Sequence, residues 1–144
     1  MKVLSLFDGI SCGMLALQRA GIPVECYDAF EIDKYAVTVS KRNFPVIVHH
    51  GNVYDGDFTQ FRGYDLLLGG SPCTYWSIAK KDREVDCNGE GFRLFKEYVR
   101  ALEESGCKYF LYENNYSVHQ RIKDEISKTL GVEPIMINSA LVSA

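Results

Sequence analysis

Three short stretches hold the side chains best suited to chemistry. Gly69-Gly70-Ser71-Pro72-Cys73 puts a thiol on a turn stiffened by proline, directly after the apolar run Tyr64-Asp65-Leu66-Leu67-Leu68. A cysteine at the end of a strand with a polar loop behind it has the setting of a nucleophile, whereas a lone cysteine elsewhere is more often a buried, inert thiol. Tyr112-Glu113-Asn114-Asn115 carries another strand out into a carboxylate. Glu113 either faces Cys73 and, with a raised pKa, donates a proton near neutral pH, or it favours a following helix that Asn114 or Asn115 caps. The third stretch, Phe7-Asp8-Gly9-Ile10-Ser11-Cys12-Gly13, follows the first strand, and Glu31 ends the second. Glycines admit a ligand to the backbone, the next helix offers free amides, and a carboxylate about 20 residues on can accept ribose hydroxyls. The alternative is a plain strand-to-helix turn that needs glycine for positive φ. The spacing is not GxGxxG, which together with Pro72-Cys73 disfavours a nicotinamide oxidoreductase.

These stretches need elements to hold them. Val3 to Phe7 reads as a strand, Met14 to Ala20 as a helix, Val24 to Ile32 as a strand, and Tyr35 to Phe44 as a helix closed by Pro45. Val46 to Val48 is a brief strand, and the Tyr64 to Leu68 run suits a strand buried on both faces at the sheet centre. Ser71 to Gly91 turns polar and reads as a long mobile loop, with Lys80, Lys81 and Arg83 among interleaved acids. Those bases either meet phosphates or form a solvated surface. Phe92 to Glu104 is a helix, Lys108 to Tyr112 a strand, Ser117 to Leu130 a helix, and Pro134 to Asn138 a final strand. The alternation predicts a doubly wound, mostly parallel α/β sheet that binds ligands beyond the carboxyl ends of its strands.

Composition narrows the class. The chain has 144 residues, 47% apolar and 24% charged, with a formal net charge of -3, which fits one folded domain and advertises no basic surface. Five scattered cysteines form no CxxC pair and no metal-ligand cluster, so Cys12, Cys26, Cys87 and Cys107 are read as ordinary reduced thiols. The N-terminal apolar stretch is too short for a signal peptide or a membrane span, and the chain is read as cytoplasmic.

Taken together, these stretches resemble the DNA (cytosine-5)-methyltransferase family, in the family's order and over essentially the whole chain. Phe7 to Gly13 is similar to the S-adenosyl-L-methionine loop, Glu31-Ile32-Asp33 to the ribose-binding acid, and Gly51-Asn52-Val53 to the Gly-Asp-Ile or Gly-Asp-Val beside the adenine. Ser71-Pro72-Cys73 matches the Pro-Cys nucleophile motif, and Glu113-Asn114-Asn115 occupies the Glu-Asn-Val position. The resemblance implies a Rossmann-like methyltransferase fold with Phe7, Asp8, Gly9, Ser11, Gly13, Glu31, Ile32, Asn52, Val53 and Pro72 lining the cofactor pocket. It implies Cys73 as nucleophile, Glu113 as acid and N3 contact, and Ser71, Ser77 and Asn114 beside the substrate. The partner implied is double-stranded DNA with its target cytosine flipped out, under a loop from Thr74 to Glu90.

The departures are specific. Asn52 replaces the usual aspartate, Asn115 replaces valine, and Thr74-Tyr75-Trp76-Ser77 replaces Gln-x-Phe-Ser. Tyr75 and Trp76 serve either as core packing or as base-stacking groups. The family's arginine motif, target-recognition domain and closing helix are expected beyond Ala144, so the chain is expected to be the N-terminal part of a catalytic domain. It should expose an unfinished sheet edge that invites self-association or a complementing C-terminal chain. A non-catalytic DNA- or partner-binding module and an RNA cytosine-5 methyltransferase are the rivals. A bacterial or phage source suits so short a segment, in either a restriction-modification or an orphan role.

Overall fold

A parallel strand covered on both faces must be apolar at successive positions, and Val3, Leu4 and Leu6 are wholly shielded from solvent. They belong to β1 (Lys2–Leu6), followed along the chain by β2 (Cys26–Phe30), β3 (Val48–His49), β4 (Leu66–Gly69) and β5 (Tyr109–Tyr112). The computed structural model describes residues 1–141. Its sheet is parallel throughout, in the order β3-β2-β1-β4-β5, with Val3 opposite both Tyr27 and Leu66. Helices α1 (Cys12–Arg19), α2 (Lys34–Asn43), α3 (Glu90–Ser105) and α4 (Gln120–Leu130) link or follow the strands.

The period-2 alternation of strand side chains divides the core into two layers. Leu4, Leu6, Phe30 and Leu67 pack against Tyr98 and Ala101 of α3. Val3, Tyr27 and Ala29 pack against Met14 and Leu17 of α1 on the opposite face. Helices therefore cover both faces, the doubly wound architecture expected. After β1 the chain adds β2 and β3 on one side, then returns to lay β4 on the other. The connections diverge there, opening a crevice beyond the carboxyl ends of β1 and β4.

Three expectations are corrected. The sheet centre is β1; the Leu66–Gly69 strand lies beside it, because strand order is set by long-range pairing that a local apolar run does not encode. Pro134 to Asn138 forms no strand. Its residues are exposed, Ile135 at 86%, and pair with nothing in the sheet, since an extended apolar segment becomes a strand only when a partner satisfies its backbone. The edge of β5 is open beside it, with Leu111 exposed. Helix α4 also begins later than its sequence pattern suggests, after His119 accepts from the Arg121 amide.

One side chain fastens the segment after β3 to α3. Arg100 donates to the carbonyls of Val53 (3.0 Å) and Gly56 (2.9 Å), pairs with Glu97 (2.6 Å) and Glu104 (3.2 Å), and lies 4.5 Å over the Phe58 ring. Its planar fork suits two carbonyls and two carboxylates at once. Arg100→Ala is expected to cost about 2 kcal/mol, because two carbonyls lose their donor. Urea denaturation measures this; a loss below about 0.5 kcal/mol would show that solvent replaces the guanidinium.

Candidate active site

Five of the residues singled out after β1 and β2 form one interlocked turn. Phe7 (φ 58°), Gly9 (φ 58°) and Ser11 (φ 66°) all adopt left-handed backbone, so the chain doubles back over the end of the sheet before α1 begins. Asp8 holds this shape. Its Oδ1 accepts from Ser5 Oγ (2.6 Å) and Tyr27 OH (2.6 Å), and its Oδ2 accepts from Ser11 Oγ. Burial, reinforced by the Asp8 charge, pushes the Tyr27 phenol far up, which keeps its proton in place for that bond. Glu31 closes the rim. One oxygen accepts from the Gly9 amide (2.8 Å), the other from the amides of Ile32 and Asp33 (both 2.8 Å). The N-terminus of α1 carries no side-chain cap, leaving its first amides for a ligand. Gly13 serves packing: a Cβ there would stand 2.8 Å from Leu68 Cδ1 and 2.9 Å from the Tyr27 hydroxyl.

Ile32, after β2, is 74% exposed, whereas Val53, after β3, is buried. Asn52 accepts from the Tyr54 amide (3.1 Å), which caps the short 3-10 turn Val53–Asp55 and occupies one lone pair of its oxygen. Nearby, Asp28 is buried between His50 Nε2 and Tyr64 OH, each at 2.6 Å, and the His50 ring stacks on Phe30.

The second arm of the crevice joins β4 to β5. The Glu113 amide donates to Gly69 O (2.9 Å), and a Cβ on Gly70 would lie 2.1 Å from Glu113 O and 3.4 Å from its Oε2. Only glycine permits that approach. Asn114 Nδ2 donates to Ser71 O (2.9 Å), and the buried Ser71 hydroxyl bonds the hydroxyl of half-buried Tyr112 (2.6 Å). Ser71 and Asn114 thus tie the two strand ends together. Cys73 opens a short 3-10 turn (Cys73–Tyr75), its carbonyl accepting from Trp76 and Ser77 amides, and its thiol is exposed, as is Glu113. The structure therefore brings the Cys73 turn and Glu113 to one sheet edge, beside the Phe7–Ser11 loop.

The match to a family model decides the assignment: the model for C-5 cytosine-specific DNA methylase covers residues 1–131. The chain belongs to this methylase family. Among similar proteins, the orphan methyltransferase M.SPRI of Bacillus phage SPR is 38% identical over 118 residues, covering 79% of this chain and 26% of that protein. The type II methyltransferase M.HgiCII of Herpetosiphon aurantiacus is 34% identical over 116 residues, covering 78% and 25%. The chain thus spans about a quarter of these relatives. Two solved structures share the fold. A DNMT2 mutant from Spodoptera frugiperda has a TM-score of 0.65 at 23% identity, covering 89% of this chain and 40% of that one. S. pombe Dnmt2 has a TM-score of 0.63 at 18% identity, covering 91% and 41%.

In this methylase chain the segment after Cys73 is irregular, as expected, but its base is tied down. Trp76 is wholly buried, packed with Phe92, Phe95 and Ile122, which settles its role as core. Its indole N–H donates to Glu84 Oε2 (3.1 Å); the same carboxylate accepts from the Gly91 amide in the first turn of α3. Glu84 therefore meets the positive end of a 16-residue helix. Arg83 donates to Ser117 O (2.9 Å), while Lys80 lies over the Tyr75 ring. Sequence reading missed Glu84 because its partners lie eight and seven residues away across an irregular loop. Trp76→Phe keeps the ring and removes the donor; thermal denaturation should show a loss of about 1 kcal/mol. Limited proteolysis within residues 77–88 should accelerate as well. Cleavage at the parent rate would show that the Glu84 contact does not hold the segment.

Proposed function

We propose that this chain is the cofactor-binding and nucleophile-bearing part of a DNA cytosine-5 methyltransferase that uses S-adenosyl-L-methionine. The observation that carries the reading is convergence: the Phe7–Ser11 loop, the Cys73 turn and Glu113 leave neighbouring strands at the crevice where the strand order reverses.

The donor set suits the cofactor. Glu31 spends three acceptor positions on backbone amides and keeps a lone pair on Oε2 for a ribose hydroxyl. The uncapped α1 N-terminus suits an α-carboxylate, and exposed Ile32 with the free lone pair of Asn52 Oδ1 suits an adenine ring and its amine. Phe7, Gly9 and Val53 shape the wall; Asp8, Ser11 and Gly13 support it from behind. Bound S-adenosylmethionine would supply an electrophilic sulfonium methyl.

Cytosine C5 is a poor nucleophile. In this reading the Cys73 thiolate adds to C6 of a cytosine turned out of its duplex, while Glu113 holds a proton at N3, so the ring's electrons are pushed to C5. Pro72 stiffens the turn, and Ser77, whose amide bonds Cys73 O, fixes its far side. The exposed β5 edge, with Ile135, Met136 and Ile137 beside it, is the surface a complementing chain would cover. Cys73 and Glu113 at one edge favour an enzyme over a binding module. The family description favours DNA, and RNA is the second reading.

The complete protein should transfer methyl groups to duplex DNA and not to RNA. Cys73→Ala should lower the rate by about a thousandfold or more, and Glu113→Gln by roughly a hundredfold. Rates near the parent's in Cys73→Ala would overturn the covalent mechanism, and a preference for RNA would transfer the reading to that polymer. Glu31→Ala removes charged acceptors and should weaken cofactor binding roughly tenfold to a hundredfold by calorimetry. Unchanged affinity would place the cofactor elsewhere.

A further inference from the structure

Ser11 is wholly buried at φ 66°, a left-handed conformation that costs a residue with a Cβ about 1–2 kcal/mol. Its hydroxyl donates to Asp8 Oδ2 and lies 2.5 Å from that of Ser40, itself wholly buried on α2. Ser40 Oγ stands 3.1 Å from Nε2 of His49 at the end of β3. Four groups from three parts of the fold thus form one chain.

Counting protons gives this chain a direction. Ser5 and Tyr27 already donate to Asp8 Oδ1, and Ser11 gives its only hydroxyl proton to Oδ2. Ser11 then accepts from Ser40. With its own proton committed, Ser40 accepts from His49, so the imidazole proton sits on Nε2. Nδ1 is left as a bare lone pair, and it is the one buried side-chain nitrogen or oxygen without a partner among the described residues. A proton there would be a buried donor with no acceptor. Burial lowers the His49 pKa in keeping with this, Lys41 and His50 acting the same way and Asp8 and Glu31 opposing.

We propose that Ser40 and His49 are positioning residues for the cofactor loop: neutral His49, protonated on Nε2, heads a one-way chain of hydroxyls that fixes Ser11 and Asp8. The link to a cofactor rests on the function proposed above; the directed chain itself does not. Neither residue lies in a recognisable site motif.

Nitrogen-15 NMR of the histidine rings at pH 7.5 should show the His49 proton on Nε2; a proton on Nδ1, or a mixture of tautomers, overturns the assignment. Hydrogen exchange tests the positioning. Ser40→Ala and His49→Leu should speed exchange of the Ser11 amide, which bonds Asp8 O, about tenfold, with Leu4 and Leu67 amides unchanged. His49→Gln, whose side-chain amide can still donate to Ser40, should stay near the parent. Acceleration spread evenly over the sheet, or no rescue by Gln, would reduce both residues to general packing and overturn the proposal. In the complete protein the same two disruptive variants should bind S-adenosylhomocysteine about tenfold more weakly. Equal affinity beside a loosened loop would overturn the role toward the cofactor. Failure of the unsubstituted protein to bind would count against the cofactor reading instead, with the exchange pattern still deciding the positioning.

Discussion

The Asp8 carboxylate is the contact on which the rest of the site depends. It takes three hydroxyl protons, from Ser5 on β1, Tyr27 on β2 and Ser11 at the mouth of α1. A half-buried carboxylate without donors is costly, so the sequence that places Asp8 at the end of β1 must also supply them. Satisfying it bends the chain through three left-handed residues, and that bend delivers the Gly9 amide to Glu31 and points α1's uncapped end at the crevice. Asp8 thus acts as scaffold, holding the Phe7–Ser11 loop in shape.

The opposite wall obeys a different constraint, close approach of backbones. Gly70 lets the Glu113 carbonyl come nearer than any Cβ would allow, and Asn114 and Tyr112 then hold the Ser71 backbone and hydroxyl. Cys73 follows two residues later on a turn whose far side is secured through Trp76 and Glu84 to α3. A thiol and a carboxylate on different strands are thereby held at one edge by contacts that use neither functional group. Both stay exposed.

Much of this was legible in the residue order, and what was not has physical reasons. Apolar runs ending in glycine marked β1 and β4, and helical spacing marked α1 to α4, because those signals are local. The position of β1 at the sheet centre was missed because partner strands, not the strand itself, decide it. Pro134 to Asn138 has the composition of a strand yet lies unpaired. Phe7, Gly9, Glu31, Cys73 and Glu113 could be picked out as candidates from type and spacing. Ser40, His49, Glu84 and Arg100 could not, since a serine in a helix or an arginine on its face acquires meaning only from groups brought to it across the fold.

Covalent capture tests the central claim most directly. The complete protein, given S-adenosylmethionine and duplex DNA carrying 5-fluorocytosine in place of cytosine, should form a stable protein–DNA adduct, because fluorine blocks the loss at C5 that frees the enzyme. Peptide mapping should find the nucleotide on the sulfur of Cys73. Attachment at another cysteine, or normal methylation of ordinary cytosine DNA with no adduct on the fluorinated strand, would contradict the account.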